Sequence, residues 1–114
     1  MSETKPHQFE KDFKYATGQP LYLYGQKLKP RQVLKLTYLA GTFQNCATTE
    51  YIELGYFNGH EHVPIKKAKP DVAGDLVIWT GEVYLRDNQY YYVYTADVAD
   101  GEVVKLRANG KWER

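Results

Sequence analysis

The chain has 114 residues, a formal net charge of +1 and a single cysteine. That length makes one ordinary domain, and a near-neutral balance offers no electrostatic footprint for duplex nucleic acid or for a membrane surface. A lone cysteine closes no internal disulfide, which excludes a disulfide-framed secreted scaffold and fits folding in a reducing compartment.

No signal-peptide pattern is visible at the N-terminus, and no apolar run approaches the roughly 20 residues of a membrane helix. Eleven residues are tyrosine, nine glycine and five proline. Tyrosine packs well on a pleated, half-buried surface, and glycine and proline supply turns, so the composition leans towards β structure.

Residues 1–19 are polar and mixed in charge, with Phe9, Phe13 and Tyr15 spaced through them. We expect an N-terminal arm or tail there; as an arm, its three aromatics would anchor on a neighbouring subunit. A β-sandwich domain is expected over 20–114. Leu21-Tyr22-Leu23-Tyr24 is its first strand. Gln32 to Ala40 follows, with Leu34, Leu36, Tyr38 and Ala40 on one face at a period of two. Gly41 is expected to interrupt it before Thr42-Phe43. In Thr49 to Phe57, Ile52, Leu54 and Tyr56 alternate with Tyr51, Glu53 and Gly55. Asn58-Gly59 between this run and His60 to Ile65 predicts a type I′ hairpin, because both residues accept positive φ.

Lys66 to Asp71 reads as a basic loop, and Leu76 to Thr80 as a central buried strand. Gly81 marks a bulge or corner, after which Glu82 to Arg86 continues as strand. Asp87-Asn88 turns the chain into Gln89 to Ala96. Asp97 to Gly101 is a loop. In the strand Glu102 to Ala108, Val104, Leu106 and Ala108 oppose Val103, Lys105 and Arg107. Asn109-Gly110 is expected to turn the chain before Lys111-Trp112. About eight or nine short strands with a turn signal every 8–12 residues predict an all-β antiparallel sandwich, jelly-roll or Ig-like.

Few residues suggest chemistry. His60 and His62 would share a strand face and could begin a zinc site, but no third ligand is near in sequence, and Cys46 or His7 would have to arrive through space. Cys46 has no neighbouring base or cation to make it a nucleophile. Asp97, Asp100 and Glu102 around Gly101 read as turn chemistry rather than a calcium loop. Glu50, Glu53, Asp75 and Glu82 have no spacing that pairs two of them across a substrate. Lys66, Lys67 and Lys69 read as a solvated cluster. No catalytic, cofactor or metal site is therefore expected, and the chain reads as a non-enzyme.

The strongest feature is the run Tyr90 to Thr95. Tyr90, Tyr92 and Tyr94 lie on one face, and Tyr91, Val93 and Thr95 on the other. Only one face can be core, and two exposed faces would leave a larger apolar patch than monomers tolerate. The other face is an interface, a platform for sugar rings, or a surface covered within the same sandwich.

The order of several stretches resembles small virion proteins of tailed bacteriophages. These are Leu39-Ala40-Gly41-Thr42-Phe43, Tyr51 to Gly59, Ala73 to Leu85 with its Trp79-Thr80-Gly81, and Val103 to Gly110. The resemblance implies a β-sandwich on a phage head or tail, made in the host cytoplasm, and in the first place a capsid decoration or stabilising protein. Its partners would be capsid or other virion subunits and further copies of itself. It carries over no residue roles. Phe9, Phe13, Tyr15, Tyr90, Tyr92 and Tyr94 are the expected contact residues. A carbohydrate-binding module using the tyrosines, or Trp79 and Trp112, is the alternative, with a glycan as partner.

Overall fold

A computed structural model describes residues 5–14, 21–45, 51–96 and 100–113. They form eight strands: β1 (Lys5–Lys14), β2 (Leu21–Tyr24), β3 (Val33–Phe43), β4 (Ile52–Phe57), β5 (His62–Ala68), β6 (Val77–Leu85), β7 (Tyr90–Thr95) and β8 (Val103–Glu113). Four of them pair in the order β1-β8-β3-β6 and four in the order β2-β7-β4-β5, all antiparallel.

The pairing has a simple origin. The β4–β5 hairpin is followed outward by β3 with β6, β2 with β7, and β1 with β8. The chain is one long antiparallel ribbon, folded over so that β3 meets β8 and β4 meets β7. Of the two sandwich types the sequence allows, this is the jelly roll.

Apolar side chains at alternate positions fill the space between the sheets. Leu34, Leu36, Leu39 and Phe43 of β3 and Val104, Leu106 and Ala108 of β8 come from the first sheet. Leu23, Ile52, Leu54, Tyr91 and Val93 come from the second. Leu28 in the β2–β3 connection joins them. Its N–H donates to the Gln89 carbonyl, and its carbonyl accepts the Asn88 N–H, both at 3.1 Å. Gly41 is packed closely against the second sheet, since a Cβ there would stand 2.9 Å from Ile52 Cγ2.

The period-two reading of β3 fails at its centre. Register shifts between Leu36 and Tyr38 against both neighbours. Leu39, rather than Tyr38, therefore continues the core face, and Tyr38 is only half-buried. Opposite the shift, Asn109-Gly110 stays within β8 and makes no turn. A Cβ on Gly110 would meet the Lys35 carbonyl oxygen at 2.3 Å, so the glycine serves a close strand approach. Gly81 of β6 lies at the same irregularity, as expected.

Other expectations change similarly. Gly41 does not interrupt β3, and Lys66 and Lys67 belong to β5 rather than to a loop. Leu76 to Thr80 does not make a central strand: β6 is an edge, with Leu76 and Ile78 more than two-fifths exposed. The hairpin after β4 is present with a longer loop than a two-residue turn. Phe57 pairs with His62, Asn58 Oδ1 accepts the N–H groups of His60 and Glu61, and only Gly59 has positive φ.

Residues 5–14, expected within an arm or tail, form the edge strand β1 against β8. The side chain of His7 locks it. His7 Nε2 lies 2.7 Å from the Tyr91 hydroxyl of the second sheet, and the ring packs edge-on to Trp112 at 4.9 Å. Burial at 5% exposure pushes the imidazole pKa below its ordinary value of 6.5. A neutral ring can accept the tyrosine proton at Nε2, and a protonated ring cannot.

The folded state thus disfavours the protonated ring relative to the unfolded chain. Stability from this site is full above about pH 6.5 and is lost as pH falls below it. Urea melts at a series of pH values should show the midpoint dropping through this range. His7→Phe should flatten that part of the profile; an unchanged profile would remove His7 as the cause.

Candidate interaction face

The outer face of the second sheet is built from neighbouring strands in register. Tyr22 pairs with Tyr94, Tyr24 with Tyr92, and Tyr92 with Gly55. Phe57 pairs with both Tyr90 and His62. Alternation sends all these side chains outward, away from the core that Tyr91 and Val93 enter.

The result is a continuous layer of rings. Tyr22 and His62, from opposite edge strands, stack on each other at 4.5 Å and 24°. Both meet Tyr92 edge-on, at 5.3 and 5.0 Å. Tyr94 lies 4.4 Å from Tyr22, Tyr90 lies 4.6 Å from Tyr24, and Phe57 stacks on Tyr90 at 5.0 Å. Each such pair is worth about 0.5–1.5 kcal/mol beyond simple area burial.

Tyr92 is the floor of this layer. It is fully buried, yet it belongs to no part of the inter-sheet core. Its hydroxyl donates to Glu53 Oε2 at 2.8 Å, which satisfies the one polar atom that burial would otherwise strand. Burial first, and then the Glu53 carboxylate, push the phenol pKa well above its ordinary value of 10.0.

Room for the ring comes from Gly55, where a Cβ would stand 2.5 Å from the Tyr92 hydroxyl and 2.4 Å from the Val63 carbonyl oxygen. Burial also raises the pKa of Tyr22, reinforced by Tyr94 and Glu53. His62 Nε2 has no hydrogen-bond partner among the described residues.

The layer is open at one side. Tyr22 and Tyr24 are each 38% exposed, Tyr90 and Tyr94 are half-buried, and Tyr92 is closed off. The outer face of the first sheet contrasts with this. There Lys35 bridges to Glu82 at 3.0 Å, Lys105 to Asp12 at 3.8 Å, and Arg107 and Lys111 are exposed. The first face carries these charges, with Ile78 and Tyr84 of its edge strand β6 exposed beside them, and the second is the aromatic face.

The structure sorts the expected contact residues into two groups. Tyr90, Tyr92 and Tyr94 sit together on the aromatic face. Phe9 and Phe13 are on β1 of the other sheet: Phe9 packs against the core and Tyr91, and Phe13 is 41% exposed. Tyr15 lies outside the described residues, as do Cys46, Glu50 and Asp97.

Among the remaining candidates, His60 is in the hairpin loop while His62 is in the ring layer. Glu53 and Glu82 are on opposite faces of the sandwich, and the Asp75 carboxylate accepts the Val72 N–H. Buried Glu102 accepts the N–H groups of Asn45 and Val103. Trp79 and Trp112 are half-buried against the core. Tyr22, Tyr24, Phe57, His62 and Gly55 complete the face and were not among the expected contact residues. The alternation in Leu21-Tyr22-Leu23-Tyr24 and the glycine inside β4 were their signals.

No protein-family model and no curated protein matches the chain. Among solved structures it is similar to a chain of the "Structure of infectious bursal disease virus Gx strain", at 10% identity and a TM-score of 0.34. The match covers 99% of this chain and 42% of that chain, so this chain spans less than half of that protein's length.

Two substitutions test the layer. Gly55→Ala should destabilise the fold by about 1–3 kcal/mol through overpacking against Tyr92 and a backbone carbonyl. Tyr92→Phe keeps the ring and removes the donor to Glu53, costing about 1–2 kcal/mol. Denaturant melts measure both; a neutral Gly55→Ala would mean that Tyr92 does not occupy that space.

Proposed function

We propose that this chain is a structural protein of a virus particle, a capsid decoration or stabilising protein that works by subunit–subunit contact. Its contact surface is the aromatic outer face of the second sheet. Its place of action is the virion, after synthesis in the host cytoplasm. The jelly roll serves both viral shells and lectins, so the architecture leaves both readings open.

The form of the aromatic layer supports the contact reading. Its central ring, Tyr92, is fully covered, and the partly exposed rings around it interlock at mixed angles. Such a surface is uneven, rich in tyrosine and poor in charge, as the centres of protein interfaces are. The likeness of its sequence stretches to small phage virion proteins points the same way.

A carbohydrate-binding module is the second reading. It rests on Tyr22 and Tyr24, two exposed and nearly parallel rings 5.9 Å apart at 14°. They could receive the apolar face of a sugar.

Particles of the encoding virus, purified on a density gradient, should carry the chain at a fixed stoichiometry. Particles stripped of it should take up added chain to saturation. Tyr22→Lys with Tyr24→Lys should weaken uptake about tenfold or more; because both rings also pack on their neighbours, a thermal melt of the variant must first show that it is folded at the temperature of the uptake assay. Absence from particles, or uptake indifferent to the double change, contradicts the proposal. Glycan binding lost on Tyr22→Ala and Tyr24→Ala, without particle uptake, would establish the sugar reading instead.

A further inference from the structure

Each sheet ends in two edge strands: β1 and β6 in the first, β2 and β5 in the second. An edge presents a row of backbone N–H and C=O groups and invites another strand to pair, so soluble proteins blunt their edges with short strands, prolines and lysines. Three edges here follow that rule. β1 reads KPHQFEKDFK, with Pro6 and three lysines. β5 reads HVPIKKA, with Pro64 and two lysines. β2 has four residues.

β6 has none of these three devices; its one irregularity is the register shift against β3 at Gly81. VIWTGEVYL runs nine residues without proline, lysine or arginine. Its one charge, Glu82, is held by Lys35 of the neighbouring strand at 3.0 Å. On its outward side Ile78 is 41% and Tyr84 46% exposed.

We infer that β6 is a pairing edge, and that its occupant is β6 of a second copy of this chain, antiparallel across a two-fold axis at Gly81. The strand is self-complementary about that glycine. In this register Ile78 stands opposite Tyr84, Thr80 opposite Glu82, Trp79 opposite Val83, and Val77 opposite Leu85.

Like meets like across the faces too. Val77, Trp79, Val83 and Leu85 are buried or half-buried, and Ile78, Thr80, Glu82 and Tyr84 are exposed. The two most exposed apolar side chains of β6 therefore become each other's cross-strand neighbours, twice by symmetry. Aromatic and β-branched pairs of this kind stabilise sheets. Thr80 brings a hydroxyl donor to Glu82.

At the axis there is no side chain. The space over Gly81 is taken by its own Trp79 indole, 2.8 Å from where a Cβ would lie. The interface is isologous and closes at two copies. It joins the two first sheets into one, and it leaves the aromatic faces of both copies free. A dimer would carry two such faces and engage a repetitive surface with higher avidity than one. The dimer itself does not depend on what that surface is.

The test uses the full chain. Sedimentation from micromolar to near-millimolar concentration should show a monomer–dimer equilibrium. Ile78→Lys or Tyr84→Lys should weaken it about tenfold or more, and Tyr22→Lys should leave it unchanged. Hydrogen exchange of the unmodified chain, below and above the dimer concentration, should show new protection confined to amides of residues 77–85; this arm decides if a lysine variant fails to fold. A chain monomeric throughout overturns the inference. So does a dimer that Tyr22→Lys breaks and Ile78→Lys does not, or new protection on β2 and β7 instead of β6.

Discussion

Strand β7 carries large rings on both of its faces, and the rest of the sandwich is arranged to cover them. Tyr91 points into the core and Tyr92 points out of it, and both are fully buried. A ring of that size on each side of a single strand needs two separate clearances. Glycine provides both. A Cβ on Gly25 would fall within the Tyr91 ring, and one on Gly55 would fall against Tyr92. Each hydroxyl then needs a partner, and each partner ties β7 to another element. His7 reaches Tyr91 from β1 across the sandwich, and Glu53 reaches Tyr92 from β4 within the sheet.

This constraint explains why the two outer faces differ. Tyr92 can be buried outside the core only if other rings close over it, and Tyr22 and His62 do so from opposite edges of the sheet. The cover is itself apolar and cannot be fully hidden, so the second sheet keeps a partly exposed aromatic surface. The first sheet has no fully buried ring on its outer face, where Tyr38 is only half-buried, and that face carries lysine, arginine and carboxylates. The proposed contact surface is thus a consequence of how β7 is packed.

Much of the fold was legible in the sequence. The alternation of Ile52, Leu54 and Tyr56 and of Val104, Leu106 and Ala108 placed two strands with their correct faces, and Tyr90 to Thr95 was recognised as a third. What failed was local backbone chemistry that depends on a neighbour. Asn58-Gly59 and Asn109-Gly110 are the same dipeptide. The first turns the chain, while the second lies in mid-strand beside the shifted register of β3. Only the strand opposite distinguishes them. Likewise the apolar run at 76–80 looked central because hydrophobicity does not report whether a strand has one neighbour or two.

The aromatic face was half legible. Tyr90, Tyr92 and Tyr94 stood out by their spacing, but which face of that strand was core could not be read from tyrosines on both sides. Lys5 to Lys14 looked like an arm because its polar residues outnumber its apolar ones; an edge strand with one buried histidine reads the same way.

The most direct test of this account is covalent footprinting of tyrosine side chains, free and on the particle. In the free chain Tyr22, Tyr24 and the exposed Tyr51 should react, while Tyr91 and Tyr92 should not. On the particle Tyr22 and Tyr24 should become protected while Tyr51 stays reactive. Modification of Tyr92 in the folded free chain, or Tyr22 and Tyr24 equally reactive in both states, would contradict it.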